Sequence, residues 1–215
     1  MAETIARRGG LAVLPQDIPV DVLAQAIARV KAAPTVFETP ITVTPTTTVG
    51  EALNLMPKRA HGAVVVLDEN RVPIGLTNKS DTVGVDRYAQ VHEVMTTGFA
   101  LVSPESTPQE VFDTLTASRQ RLAVAVAEDG SLVGVMSAKG ALRSAIYHPA
   151  LDAGGRLRAA VAIGISGDSA GRADALLKAG ADVLVLDTAH GHQQRMIDAL
   201  ASVVPVRDKF EAETG

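Results

Sequence analysis

The chain has 215 residues, 47% hydrophobic and 20% charged, with a net charge of −4 and a pI near 5.7. Such a composition describes a folded globular chain with room for one large domain or two ordinary ones, and it offers no basic face to a nucleic-acid backbone. The lack of cysteine excludes disulfides, thiolate metal sites and a cysteine nucleophile supplied by this chain; with no apolar run long enough to span a bilayer and no apolar centre of a signal peptide in "MAETIARRGG", the expectation is a cytoplasmic protein with no membrane partner.

In chain order, "MAETIARR" reads as a helix, "GG" as a tight turn and "LAVL" as a short buried strand. The next stretch, "PVDVLAQAIARVKAA", puts Val22, Leu23, Ala26, Ile27 and Val30 on one helical face, and Pro34 ends it. Helix, strand, helix with short connections is a piece of a parallel α/β sheet. Aromatics are only 3% and Trp is absent, so the core is built from Ala, Val and Leu.

From about Thr35 to Ser144 the chain repeats itself. "ITVTPTTTVGEAL" lies on "ALVSPESTPQEVF" with Val43 on Val102, Pro45 on Pro104, Thr48 on Thr107 and Glu51 on Glu110, a constant offset of 59 residues that also carries Gly75 onto Gly134. One module of that size buries too little core to stand alone, and two packed together remedy it. Each copy reads as a short strand ending at Thr/Ser-Pro, a helix capped by Thr, a strand, a turn at "DEN" or "EDG", and a last strand that ends at Gly-apolar-apolar.

This β-α-β-β-α order in duplicate resembles the CBS domain (cystathionine β-synthase domain), two of which form a Bateman module. In that family a Gly-x-x-Ser/Thr-x-x-Asp motif after the last strand contacts a nucleotide, the Asp accepting from ribose hydroxyls and the Ser/Thr meeting phosphate. The first copy here is Gly75 to Asp81, with Asn78 where Ser/Thr is expected; the second is Gly134 to Gly140, with Ser137 present and Gly140 in place of the Asp. The resemblance implies a ribose site at Asp81 and a weakened site at Ser137. The plainer reading is that both residues cap the helices that follow.

After the repeat, "LRAAVAIG" reads as a strand, "SAGRADALLKAG" as a helix closed by Gly180, "VLVLD" as a strand and "QQRMIDALASVV" as a helix. Continuous apolar runs are what strands covered on both faces require. The repeat is thus an insertion between a helix and a strand of a βα-repeat protein.

Barrel pieces on either side of a Bateman insertion, the return "GRLRAAVAIG" and the strand end "LDTAHGH" together resemble the IMP dehydrogenase / GMP reductase family. The resemblance implies an α/β fold in which a (β/α)₈ TIM-barrel portion is interrupted by a tandem CBS module: residues 1–34 form the opening portion of the barrel, 35–147 the module (35–90 and 91–147), and 148–215 an incomplete second barrel portion. In such barrels the chemistry sits on loops after the strands' carboxyl ends. Asp187 then falls at the nicotinamide-ribose side of bound NADP or NAD, with Thr188, His190 and Gly191 on the same loop and Ser166 and Gly167 at the neighbouring strand end. Without the resemblance, Asp187 reads as an acid capping the next helix or pairing inside the barrel. His190 and His192 are two apart and make no metal pair.

The family's loop cysteine, later phosphate-binding strands and flap have no counterpart here, so no catalytic residue is assigned and the chain is expected to be a fragment, inactive alone. "PVRDKFEAETG" does not read as the next barrel strand. For the parent protein the resemblance implies GMP reductase (GMP and NADPH to IMP, ammonia and NADP), because "VLPQDIP" departs from the basic "IHKN"-like loop of IMP dehydrogenases and looks like the actinobacterial branch that carries CBS domains. IMP dehydrogenase (IMP and NAD to XMP) is the alternative. The module implies regulation by ATP, GTP or another purine nucleotide through a shift between assemblies, and the family implies homo-tetramers or homo-octamers. Two rival readings are a nucleotide-sensing fragment without catalysis, and a module that only holds oligomers together.

Overall fold

The computed structural model describes residues 1–59 and 61–214; Ala60, in the first repeat, and Gly215, at the end of "PVRDKFEAETG", lie outside the described residues. The elements in chain order are α1 (Ala2–Arg7), β1 (Val13–Leu14), α2 (Val20–Ala32), β2 (Thr42–Val43), α3 (Val49–Leu55), β3 (Ala63–Leu67), β4 (Pro73–Asn78), β5 (Ala100–Val102), α4 (Pro108–Ser118), β6 (Leu122–Val126), β7 (Leu132–Ser137), α5 (Ala138–Ser144), β8 (Ala160–Gly164), α6 (Ser169–Lys178), β9 (Val183–Asp187) and α7 (Gln194–Thr214). This α/β chain divides into two compact units: Met1–Thr35 with Tyr147 onward, and Val36–Ile146.

The first unit carries a parallel three-stranded sheet in the order β1-β8-β9. Its central strand β8 is buried from Ala160 to Ile163, as the apolar run "AVAI" demands of a strand covered on both faces. Leu23, Ile27 and Val30 of α2 and Ala173 and Leu176 of α6 close over Val161 and Ile163. Val22 departs from the expected stripe: it is 43% exposed, because the buried positions of α2 step from 23 to 27 to 30 and leave 22 on the rim. α6 starts on Asp168, whose side chain accepts the Gly171 N–H, and ends in a Schellman motif. There Gly180 (φ +97°) donates to Leu177 O at 2.9 Å and Ala181 to Leu176 O at 3.1 Å. α7 runs on past Val204 to Thr214 with Pro205 inside it, where the sequence suggested a stop.

The second unit repeats one layout twice. β2 runs parallel to β3 and β3 antiparallel to β4, and β5, β6 and β7 do the same. The registers transfer as well: Val43 faces Val66 where Val102 faces Ala125, Val66 faces Gly75 where Ala125 faces Gly134, and each hairpin bulges at the same step. Thr48 and Thr107 cap α3 and α4 in capping boxes with Glu51 and Glu110. The backbone N–H and hydroxyl of each Thr hold the glutamate carboxyl below its usual value. Val65 and Leu67 of β3 meet Leu122 and Val124 of β6 in a central apolar layer.

Two details differ from expectation. The last strands continue through Gly75 and Gly134 to Asn78 and Ser137. The closing helix of the first copy is only a 3-10 turn, Lys79–Thr82, whereas the second copy has α5. In the first copy the Thr82 hydroxyl donates to Lys79 O at 2.9 Å and Gly84 takes φ +76°, so the chain turns away instead of winding on.

Candidate functional site

Because β1, β8 and β9 are parallel, Leu14, Gly164 and Asp187 end along one edge of their sheet, with Gly164 registered on Asp187. Ligands of parallel α/β sheets bind at this carboxyl edge, where loops and helix starts converge. A cavity of about 400 Å³ lies there, lined by Gln16, Asp17, Ser166, Asp168 and Asp187 among others. At Gly164 a Cβ would sit 2.6 Å from Gln16 Oε1, so the glycine leaves room for the Gln16 amide across the end of β8, and a side chain there would push that flexible amide aside. Arg172 of α6 fixes the loop after β1 by donating from one Nη to Gln16 O at 2.7 Å and Ile18 O at 2.8 Å. Its Nε is buried without a partner among the described residues.

Ser166 and Asp187 come together at this cavity, with Gly167 at φ +78° in the loop between strand and helix. Both side chains are exposed, and neither makes a hydrogen bond among the described residues. Thr188, His190 and Gly191 lie on the loop that leads into α7 and do not line the cavity. The Thr188 hydroxyl is engaged locally, accepting from Gln193 Nε2 at 2.6 Å. Gln16, Asp17 and Arg172 were not singled out in the sequence, although the departure of "VLPQDIP" from a basic loop marked the neighbourhood of the first two.

The second candidate is a cavity of about 570 Å³ in the repeat unit. Leu76, Val83, Phe99 and Leu122 give it apolar walls, while Asn78, Lys79, Ser80 and Arg121 bring polar groups. Of the sequence-predicted residues Asn78 lines it. Asp81 does not: its carboxylate turns back to accept the Asn78 N–H at 2.8 Å, while Asn78 Oδ1 accepts from Ser80 N at 2.8 Å, a capping box closing the 3-10 turn. Ser137 caps α5 by accepting the Gly140 N–H at 3.0 Å. Gly75 and Gly134 sit in mid-strand under packed side chains; a Cβ would be 2.5 Å from Met95 Sδ at Gly75 and 2.6 Å from Phe37 Cβ at Gly134. The cations Lys79 and Arg121 escaped the sequence reading. Arg121 is offset by 59 from Gly62, so the repeat itself hid it.

A family model described as IMP dehydrogenase / GMP reductase domain matches residues 1–212. The chain belongs to the IMP dehydrogenase / GMP reductase family. It is 46% identical over 203 residues to a GMP reductase of Mycobacterium tuberculosis (strain ATCC 25618 / H37Rv), covering 94% of this chain and 42% of the relative. To an inosine-5'-monophosphate dehydrogenase of Staphylococcus haemolyticus it is 34% identical over 215 residues, covering 98% and 43%. Among solved structures, a Trypanosoma brucei GMP reductase in complex with guanosine 5'-monophosphate matches with a TM-score of 0.64 at 26% identity, covering 93% of this chain and 44% of that one. A further complex of that enzyme, with guanosine 5'-triphosphate, gives a TM-score of 0.63, covering 93% and 50%. The chain therefore spans less than half the length of the curated relatives it matches. Among the described residues no helix is long and apolar enough to cross a membrane.

Proposed function

We propose that this chain is the cofactor-side portion of a cytoplasmic purine-nucleotide oxidoreductase, a GMP reductase that converts GMP and NADPH to IMP, ammonia and NADP. The observation that carries the reading is the pair Ser166 and Asp187, hydrogen-bonding groups without partners among the described residues, at the carboxyl edge of a parallel sheet. Identity of 46% to a GMP reductase against 34% to an IMP dehydrogenase supports the choice of reaction. The three parallel strands and their helices are taken as a portion of a (β/α)₈ barrel, completed by chain outside these residues.

The side chains at the cavity suit the nicotinamide half of a dinucleotide, since an ionised carboxylate with both oxygens available is a strong acceptor for ribose hydroxyls and the serine adds a second polar contact. When bound, NADPH supplies the hydride. Asp187 and Ser166 would hold its ribose, with Gly167 in the same loop as Ser166, and Arg172 holds the backbone of Gln16 beside Gly164. The alternative, oxidation of IMP with NAD, uses the same geometry in the opposite redox sense. Full-length protein incubated with GMP plus NADPH, and separately with IMP plus NAD, separates them. Consumption of NADPH supports the proposal, and formation of NADH with no reaction of GMP defeats it.

The 36–146 unit is proposed to be a tandem CBS module that binds a purine nucleotide such as ATP or GTP and shifts the enzyme between homo-tetramers and homo-octamers. The apolar walls of its cavity suit a base, and Lys79 and Arg121 suit phosphates. Arg121→Ala is expected to lower affinity for ATP or GTP in isothermal titration at least tenfold; unchanged binding would move the site elsewhere.

A further inference from the structure

We infer that the two halves of the 36–146 unit are unequal as nucleotide sites: the first-repeat cavity takes one nucleotide, while Glu38 fills the matching place in the second repeat with a carboxylate of the chain's own. The inference rests on the nucleotide reading above. The segments entering the two repeats are exchanged. Glu38 pairs with Val135 of β7, donating to it at 2.8 Å and accepting at 3.0 Å, and Thr96 pairs with Leu76 of β4 through bonds of 2.9 and 2.8 Å. Leu76 and Val135 are equivalent by the 59-residue offset, so Glu38 stands where Thr96 stands in the other half. Phe37 against Gly134 and Met95 against Gly75 are the matching anchors one residue earlier.

Thr96 lines the 570 Å³ cavity with a short neutral side chain, and Asp81 folds its carboxylate back onto Asn78 N–H. In the second half the equivalent of Asp81 is Gly140, and Glu38 reaches into the space this opens: its Oε1 lies 3.4 Å from where a side chain on Gly140 would begin. Its other oxygen lies 3.4 Å from Nδ1 of His61, a side chain only 1% exposed whose Nε2 has no partner among the described residues. A carboxylate held there by the backbone pairing of Glu38 and by His61 occupies ligand space.

Isothermal titration of the whole 215-residue chain with ATP, and with GTP, tests this. Wild type is expected to bind one mole of nucleotide per mole of chain, and Glu38→Thr, which copies Thr96, to bind two. Far-UV dichroism and a melting curve establish that the variant folds; if Glu38→Thr melts below the assay temperature, Glu38→Ser, which shortens the side chain in the same way, takes its place and must show the second site. Two moles in wild type, or one mole in a folded variant, overturns the role of Glu38 and leaves the nucleotide reading standing. No binding by any of the proteins overturns the nucleotide reading, and this inference with it.

Discussion

Replacing Lys31 by Met should cost the α/β unit about 3 kcal/mol. Lys31, near the end of α2, reaches two carboxylates from distant stretches of the chain, with Nζ 2.8 Å from Asp152 Oδ2 and 2.6 Å from Asp182 Oδ2. The three side chains are 9%, 11% and 18% exposed, so Met would leave two covered acids without their shared cation. Removing one partner of a buried pair costs roughly 3–5 kcal/mol, and the low end applies because each acid keeps other donors. Asp182 still accepts from Ala159 N at 2.7 Å, and Asp152 from Gly154 N at 2.9 Å and Arg156 N at 2.8 Å. The Arg156 side chain is 59% exposed and compensates little. Hydrogen exchange of the β8 amides reads the unit directly: about 3 kcal/mol accelerates exchange through unfolding on the order of 100-fold. Acceleration of less than about tenfold, or ~1.4 kcal/mol, would refute the reasoning. The acid limb gives a second readout. Burial works against the Asp152 carboxylate, but the Lys31 ammonium and the Arg156 N–H outweigh it and hold the carboxyl well below the usual range. A depressed folded-state value stabilises above the unfolded value of about 3.9 and is lost as pH falls below it toward the folded value. That loss should be shallower in Lys31→Met.

Thr77 is fully buried in β4 with a hydroxyl that has no partner among the described residues, and its repeat equivalent is the apolar Met136, so Thr77→Val should stabilise the repeat unit by about 1 kcal/mol in denaturant melts; destabilisation would reveal a missed partner. Gly134→Ala should destabilise by roughly 1–3 kcal/mol, because its Cβ meets Phe37 Cβ at 2.6 Å and the Glu38 carbonyl at 3.2 Å. Gly75→Ala should cost less, since it meets the flexible thioether of Met95, and equal melting points for the two variants would contradict this ordering.

Much of the architecture was legible because it rests on short-range rules. Thr48 and Thr107 announce their helices through a Glu three residues on, and Gly180 announces the end of α6. The offset of 59 is readable because paired strands in both copies need the same alternation and the same bulge. What escaped depends on contacts distant in sequence. A glycine in a strand signals close approach without saying of what, so Gly75 and Gly134 read as ligand contacts while Met95 and Phe37 are what approach them. The 570 Å³ cavity draws residues from both repeats, and no pattern within one copy brings Arg121 to Lys79. Pro205 in α7 and exposed Val22 show the same limit, where packing overrides a local rule. Asp187 was legible through its place in "LDTAHGH", but Gln16 and Arg172, which complete that cavity, become visible only when β1 is laid beside β8.

The central claim is that Asp187 faces the dinucleotide and not the purine nucleotide. The measurement is equilibrium binding of NADPH and of GMP to the full-length protein carrying Asp187→Ala. Loss of a charge-assisted hydrogen bond of about 1.5–3 kcal/mol predicts NADPH affinity at least tenfold weaker with GMP affinity unchanged. Unchanged NADPH affinity, or a loss confined to GMP, would contradict the account.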